Sequence, residues 1–146
     1  MAPTITLYTD GACVNHVKGG GPGGWAAILV ACDDIGNILK ERELAGGAPQ
    51  TTNNRMEMTA VIEGLKALTK TVPVTVVTDS EYVKDTMEGR LKRKKNPDLW
   101  QELDSLCLQH TVSWEWTRGH SGHHYNERCD ELAVEQRDRY KQQDGD

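Results

Sequence analysis

Hydrophobic residues recur along this chain with two periods that alternate from segment to segment. Runs rich in Val, Ile, Thr and Tyr predict five short strands: ITLYTDG, WAAILVA, ILKEREL, VTVVT and VSWEW. Apolar residues spaced three and four apart predict helices: one from about Arg55 to Thr69, a short one from Ser80, PDLWQELDSLCLQH, and YNERCDELAVEQRDRY. The predicted order is β-β-β-α-β-α-α-β-α, with three strands able to pair antiparallel before the crossovers begin.

Glycine-rich segments between the first elements are expected to be connections. VNHVKGGGPGGW lacks the Gly-Lys-Ser/Thr ending of a nucleotide-binding P-loop, so it predicts a turn into the second strand. GGAPQTTNN predicts a loop whose Thr and Asn residues offer helix caps. Gly64 in mid-helix costs about 1 kcal/mol relative to Ala, which indicates close packing at that point. VTVVT is apolar on both faces, as in a central strand that is covered on two sides.

Acidic residues occur where two of the predicted strands end. Asp10 closes the first strand and Asp79 closes VTVVT, and the ends of neighbouring parallel strands emerge at the same edge of a sheet. Glu57 lies near the start of a helix, where stabilisation by the helix dipole is the simpler explanation, and Asp130 lies in the last helix. Carboxylates that converge repel one another unless a cation neutralises them. Mg²⁺, which prefers oxygen ligands, is the natural candidate.

Length and composition indicate one globular domain. With 146 residues, 37% hydrophobic and 27% charged, the chain can bury a core, and we expect one domain over residues 1–140 with a short polar tail at 141–146. No apolar run approaches the roughly 20 residues of a membrane helix, so no membrane association is expected. Four scattered cysteines and the lack of a secretory signal favour free thiols in a cytoplasmic protein.

Positive charge is concentrated in one stretch, although the net charge is −5. GRLKRKKN is either a solvated surface run or a contact for phosphates. The net charge disfavours non-specific nucleic-acid binding by the whole surface. The basic residues of the stretch are Arg90, Lys92, Arg93, Lys94 and Lys95.

A zinc site is an alternative near the C-terminus. Three histidines and a cysteine (His120, His123, His124 and Cys129) supply suitable ligand types, but their spacing matches no common zinc site. His120 could also be a structural or solvated side chain, and His123 could support the loop.

The motifs in this order resemble type 1 ribonuclease H, over essentially the whole chain. The resemblance rests on ITLYTDG, TTNNRME, VVTDS, DLWQELD, WEWTRGHSGH and NERCDELA. It implies a ribonuclease H-like α/β domain with a five-stranded mixed sheet, three antiparallel strands then two parallel, flanked by helices. It also implies an endonuclease, expected to be a monomer, that hydrolyses the RNA strand of RNA–DNA hybrids and leaves 5′-phosphate and 3′-hydroxyl ends.

The resemblance also assigns site residues. Two Mg²⁺ ions, or Mn²⁺ as a substitute, would be held with substrate bound by Asp10, Glu57, Asp79 and Asp130. Asp10, on the central strand, is the best bridging ligand, and His120 would move protons or loosen product. Asn53 and Asn54 are expected to reach 2′-hydroxyls in the minor groove, although TTNN could instead serve only as a helix cap. Further substrate contacts are expected at Thr52, Tyr82, Lys92, Lys94, Lys95 and Asn96.

Departures from the family pattern affect affinity rather than reaction. The Trp-containing basic protrusion of many bacterial members shrinks here to MEGRLKRKKN, and the loop after Asp10 is longer than usual.

Other functions are also open to this type of fold. Related exonucleases place a second acid two residues after the first, where this chain has Ala12. A non-enzymatic hybrid-binding module would be expected to lack an acid, and none is missing. A polymerase-derived domain of retroviral type stays open.

Overall fold

A mixed five-stranded sheet forms the centre of the molecule. The structure, a computed structural model, describes residues 3–14, 20–117 and 124–144. The strands are β1 (Thr4–Cys13), β2 (Gly21–Cys32), β3 (Ile38–Thr51), β4 (Pro73–Thr78) and β5 (Thr111–Trp116). Their order in the sheet is β3-β2-β1-β4-β5, with β1, β2 and β3 antiparallel and β4 and β5 parallel to β1. The predicted fold class and the central place of Asp10's strand are confirmed.

Helices cover both faces of this sheet. They are α1 (Asn53–Lys66), α2 (Glu81–Met87), α3 (Pro97–Gln109) and α4 (His124–Asp144). On one face, α1 packs on β1 and β2 and α3 packs on α1 and β5, in an apolar cluster that includes Leu7. On the other face, α4 packs through Cys129 and Ala133 against Ile28 of β2. Within the described ranges, none of the helices combines the length and apolarity that spanning a membrane would require.

The apolar stripe of α1 seats that helix on β1, as its sequence predicted. Leu7, Val61 and Leu65 have no exposed surface. A Cβ at Gly64 would lie 2.4 Å from Leu7 Cδ1, so the mid-helix glycine does mark close packing. The helix begins two residues earlier than the predicted Arg55, because Thr52 caps it, and it ends at Lys66 rather than Thr69.

Two glycine-rich segments predicted to be connections are strand instead. GPGG forms the start of β2, and GGAPQ continues β3 to Thr51. A Cβ at Gly24 would lie 2.1 Å from the Ala133 carbonyl oxygen, and one at Gly47 would lie 2.9 Å from the Tyr140 ring. For these residues the prediction of a connection was wrong, because the glycines let α4 approach the strands closely and do not form a turn. Without side chains there, α4 can lie directly on the sheet.

Candidate active site

The ends of β1 and β4 bring two carboxylates level with each other. Tyr8 pairs with Val77 in the parallel register, and Asp10 and Asp79 each follow two residues later. Side chains alternate between the two faces of a strand, so Asp10 shares the face of Tyr8, which stacks on Tyr125 of α4. Asp10 therefore faces α4, which carries Asp130.

Glu57 reaches the same place from α1. The Thr52 hydroxyl caps this helix by accepting from the Arg55 backbone N–H at 3.2 Å. Gly11, directly after Asp10, lets the helix backbone approach β1, because a Cβ there would lie 2.6 Å from the Glu57 backbone nitrogen. The Glu57 side chain is consequently buried, with 4% of its surface exposed.

Three carboxylates meet at this point. Asp10, Glu57 and Asp79 each offer an oxygen, and these oxygens lie within 4.8 Å of one another. Oε2 of Glu57 is buried without a hydrogen-bond partner among the described residues. A buried acceptor that is left unpaired is costly, so the arrangement suits a cation that all three acids could share. The donor set is all oxygen, which fits Mg²⁺ or Mn²⁺ better than a soft metal.

Burial and mutual repulsion disfavour ionisation of the acids. Burial, then the charge of Asp79, raises the pKa of Asp10 to about 8, although the Gly11 N–H donates to Asp10 Oδ1 at 2.9 Å and partly offsets this. Burial, then the charges of Asp10 and Asp79, raises the pKa of Glu57 well above its usual range. The pocket is therefore poised to exchange protons for a cation.

An open polar cavity of about 380 Å³ surrounds these acids. Asp130 also lines it and lies close enough to Asp10 to help raise the pKa of the Asp10 carboxyl, after burial and the charge of Asp79. All four predicted acids therefore come together. The cavity is lined by Asp10, Gly11, Asn53, Asn54, Glu57, Asp79, Ser80, Glu81, Tyr82 and Asp130.

The described residues give no support to the zinc alternative. Cys129 has no exposed surface and packs beside Ile28 and Val30 in the core. Burial raises the pKa of its thiol, which disfavours the thiolate that zinc would need. His120 and His123 lie outside the described residues.

Predicted substrate contacts lie around the cavity. Asn53 and Asn54 form the start of α1, and their exposed side chains line the cavity together with Tyr82. Thr52 uses its hydroxyl as an acceptor in capping, which leaves the hydroxyl proton free to donate. The capping role of TTNN is thus confirmed, and it is compatible with substrate contact.

Asn96 belongs to a side-chain network that periodicity did not reveal. Its side chain bonds Arg55 and Tyr82, and the Tyr82 hydroxyl also accepts from Trp100 Nε1 at 3.2 Å. Arg55 occurs within the motif TTNNRME, but nothing in its spacing indicates its partner 41 residues away.

A second long-range contact supports the turn that carries Asp79. Trp116 Nε1 donates a hydrogen bond to the Asp79 backbone carbonyl oxygen at 3.3 Å.

The basic stretch is exposed and only partly paired. Arg90 forms ion pairs with acids of its own segment, and Arg93 pairs with Asp104 and lies over the Trp100 ring at 4.8 Å. By contrast, none of the ion pairs found among the described residues involves Lys92, Lys94 or Lys95. Three lysines in this stretch are therefore available to phosphates.

Known proteins of one family resemble this chain over most of its length. The RNase H family model matches residues 2–138. Ribonuclease H of Neisseria gonorrhoeae (strain ATCC 700825 / FA 1090) is 50% identical over 146 residues, covering 91% of this chain and 94% of that protein. The crystal structure of LC9-RNase H1, a type 1 RNase H with the type 2 active-site motif, superposes with a TM-score of 0.77 at 30% identity, covering 92% of this chain and 72% of that one.

A further structure of the same kind contains nucleic acid. LC11-RNase H1, solved in complex with an RNA/DNA hybrid, has a TM-score of 0.60 at 26% identity and covers 93% of this chain and 98% of that one. The family match and these likenesses cover nearly the full length of the chain. The chain therefore belongs to the RNase H family of endoribonucleases.

Proposed function

We propose that this protein hydrolyses the RNA strand of RNA–DNA hybrids with two divalent ions, leaving 5′-phosphate and 3′-hydroxyl ends. The observation that carries the proposal is the group of three carboxylates within 4.8 Å, one of which has a buried oxygen without a partner. Family membership and the hybrid complex of LC11-RNase H1 support the choice of substrate. A cytoplasmic monomer that uses Mg²⁺, with Mn²⁺ as substitute, is part of the proposal.

The four acids divide the work of holding the ions. Asp10 interacts electrostatically with Glu57, Asp79 and Asp130, and it is the proposed bridging ligand. Glu57 and Asp79 would complete the shells of the ions, and Asp130 would close the other metal site. Mg²⁺ held by these residues would supply Lewis acidity for the attacking water and for the leaving 3′ oxygen. His120 is proposed to move a proton or help release product.

Selection of RNA is assigned to the start of α1. Asn53 and Asn54 each offer a donor and an acceptor to a 2′-hydroxyl, which is itself both. They lie at one wall of the acidic cavity, so a strand read there presents its backbone to the carboxylates. Thr52 and Asn96 are proposed to hold a phosphate of the DNA strand, and Tyr82 to line its path.

Two other functions fit less well. A proofreading exonuclease would need a further acid where Ala12 stands, and Ala12 is a buried core residue here. A module that only binds hybrids has no need for acids that repel one another at one point. The acidic convergence therefore favours cleavage.

The first prediction concerns substrate. With Mg²⁺ the protein should cut the RNA strand of a labelled hybrid and leave duplex DNA, duplex RNA and single strands largely intact. Loss of a residue that only hydrogen-bonds a metal ligand costs up to roughly 100-fold in activity. Asp10→Asn alters a proposed ligand itself, so it should lower turnover by more than that. Asp138→Asn, a remote acid on the same chain, is the matched control and should retain activity. Cleavage of duplex DNA at a comparable rate would refute the proposal.

The second prediction concerns pH and metal. Asp10 has a pKa of about 8 in the folded state and of about 4 in the unfolded state, so the metal-free protein loses stability as pH rises between these values. Asp10→Asn removes that loss. In chelator, urea unfolding should show the variant more stable than wild type at pH 8 by more than about 1.4 kcal/mol, with the gap closing towards pH 4.

Added Mg²⁺ should reverse this ranking, since it neutralises the acids of the wild type and binds the variant less well. Asp138→Asn should follow wild type throughout. A stability gap that stays constant with pH would show that burial and repulsion do not raise the pKa of the Asp10 carboxyl.

The third prediction concerns the basic stretch. If its lysines contact phosphates, each contact releases condensed counterions, and replacing Lys92, Lys94 and Lys95 by Ala should flatten the slope of log affinity against log salt by roughly 0.7–0.9 per contact. The Michaelis constant should rise most at low salt while the maximal rate stays near normal, because these residues do not line the acidic cavity.

The test is a hybrid-binding titration in the Asp10→Asn background. A second triple variant, with Ala at Lys40, Lys66 and Lys70, removes the same charge away from the cavity and serves as control. An unchanged slope in the first variant would mean that the stretch is solvated surface.

A further inference from the structure

The side chain of Asn96 is held from two sides. Its backbone is left-handed, with φ 62° and ψ 43°, and it is the one residue other than glycine with positive φ within the described ranges. It occupies the N-cap position of α3, yet its side chain makes no capping bond. Instead its Oδ1 accepts from Arg55 Nη1 at 3.2 Å, and its Nδ2 donates to the Tyr82 hydroxyl at 3.2 Å.

These two neighbours fix which way the amide points. A guanidinium can only donate, so the Asn96 oxygen must face Arg55 and the NH₂ group must face away. The Tyr82 hydroxyl accepts from both Asn96 and Trp100, which uses both of its lone pairs. One N–H of Asn96 and the O–H of Tyr82 then remain as donors, and neither has an acceptor among the described residues. Tyr82 lines the acidic cavity, so Asn96 lies one hydrogen bond away from a wall of that cavity.

Arg55 is itself held in place. Its guanidinium forms two bonds to Asp98, with Nη1 to Oδ1 at 3.1 Å and Nη2 to Oδ2 at 2.7 Å. The charge of Arg55 is thus already matched by a carboxylate. Its backbone N–H donates to Thr52, so Arg55 connects the first turn of α1 with the first turn of α3.

We propose that Arg55 is a positioning residue for the nucleic acid: by holding Asn96 Oδ1, it turns the Asn96 amide so that an N–H faces a backbone phosphate. Without Arg55 the amide could rotate and present its oxygen, which a phosphate repels. The inference rests on the proposed function, in which Asn96 holds a phosphate of the DNA strand.

Two simpler roles for Arg55 make different predictions. Arg55 could only tie α1 to α3, as the Lys66–Glu102 ion pair does at 3.4 Å between the same two helices. It could also bind a phosphate directly, and a cation that does so releases counterions and steepens the dependence on salt. Positioning through a neutral amide changes affinity without changing that slope.

The experiment is a hybrid-binding titration at several salt concentrations in the Asp10→Asn background. Arg55→Met should weaken hybrid binding about tenfold, because the hydrogen bond from the Asn96 amide to the charged phosphate is lost. The slope of log affinity against log salt should not change. In an Asn96→Ala background, Arg55→Met should cause no further loss. Lys66→Met, the matched break between the same helices, should leave hybrid affinity unchanged.

Arg55→Lys gives a second reading if Arg55→Met folds poorly. Lysine keeps the charge, but it cannot bond Asn96 and Asp98 in the same fork geometry, so positioning predicts weaker binding here too. A flattened salt slope for Arg55→Met, which removes the charge, together with an additive loss in the Asn96→Ala background would overturn the inference in favour of direct phosphate binding.

Cleavage of hybrid by the wild type, measured in parallel, distinguishes failure of the proposed function from failure of the positioning role of Arg55. If the wild type does not cleave hybrid, the proposed function fails. If it cleaves, and either Asn96→Ala or Arg55→Met binds as tightly as the parent, the positioning role alone is wrong.

Discussion

The approach of α1 to β1 at Gly11 is the contact on which this site depends. A side chain at that position would meet the backbone of Met56 and Glu57 within 3.0 Å, so only glycine lets the helix lie this close to the strand. Gly64 likewise lets α1 lie close to β1, because a side chain there would meet Leu7. Close packing at these two points carries Glu57 over the sheet edge to Asp10, and the Thr52 cap fixes where the helix begins.

That approach has an electrostatic consequence. It forces Glu57 towards Asp10 and Asp79, where burial and repulsion raise the pKa values of Asp10 and Glu57. A metal-free pocket must hold protons or strain, and a divalent cation relieves both. The same helix start presents Asn53 and Asn54 at the cavity wall and Arg55 to Asn96. Packing, metal binding and substrate reading therefore share one short segment of chain.

The sequence predicts the parts of this site that follow strand or helix periodicity. Asp10 and Asp79 were placed correctly because acids at the ends of parallel strands share a sheet edge. Glu57 and Asp130 needed the family resemblance, since a helical acid near a buried face has several explanations. The glycine-rich parts of β2 and β3 were misassigned because glycine usually indicates a turn, whereas here it admits α4. The Arg55–Asn96 bond joins residues 41 apart and depends on tertiary packing that no local pattern encodes.

If the converging acids hold protons until a cation replaces them, binding of the cation must release those protons. Calorimetric titration of the protein with Mg²⁺ at pH 7, in two buffers of different ionisation enthalpy, measures the protons released directly. With the pKa of Asp10 near 8, binding should release about one proton or more, and Asp10→Asn should release fewer. Binding heat that is independent of the buffer would mean that the acids are already ionised before Mg²⁺ binds, and it would contradict the exchange of protons for a cation.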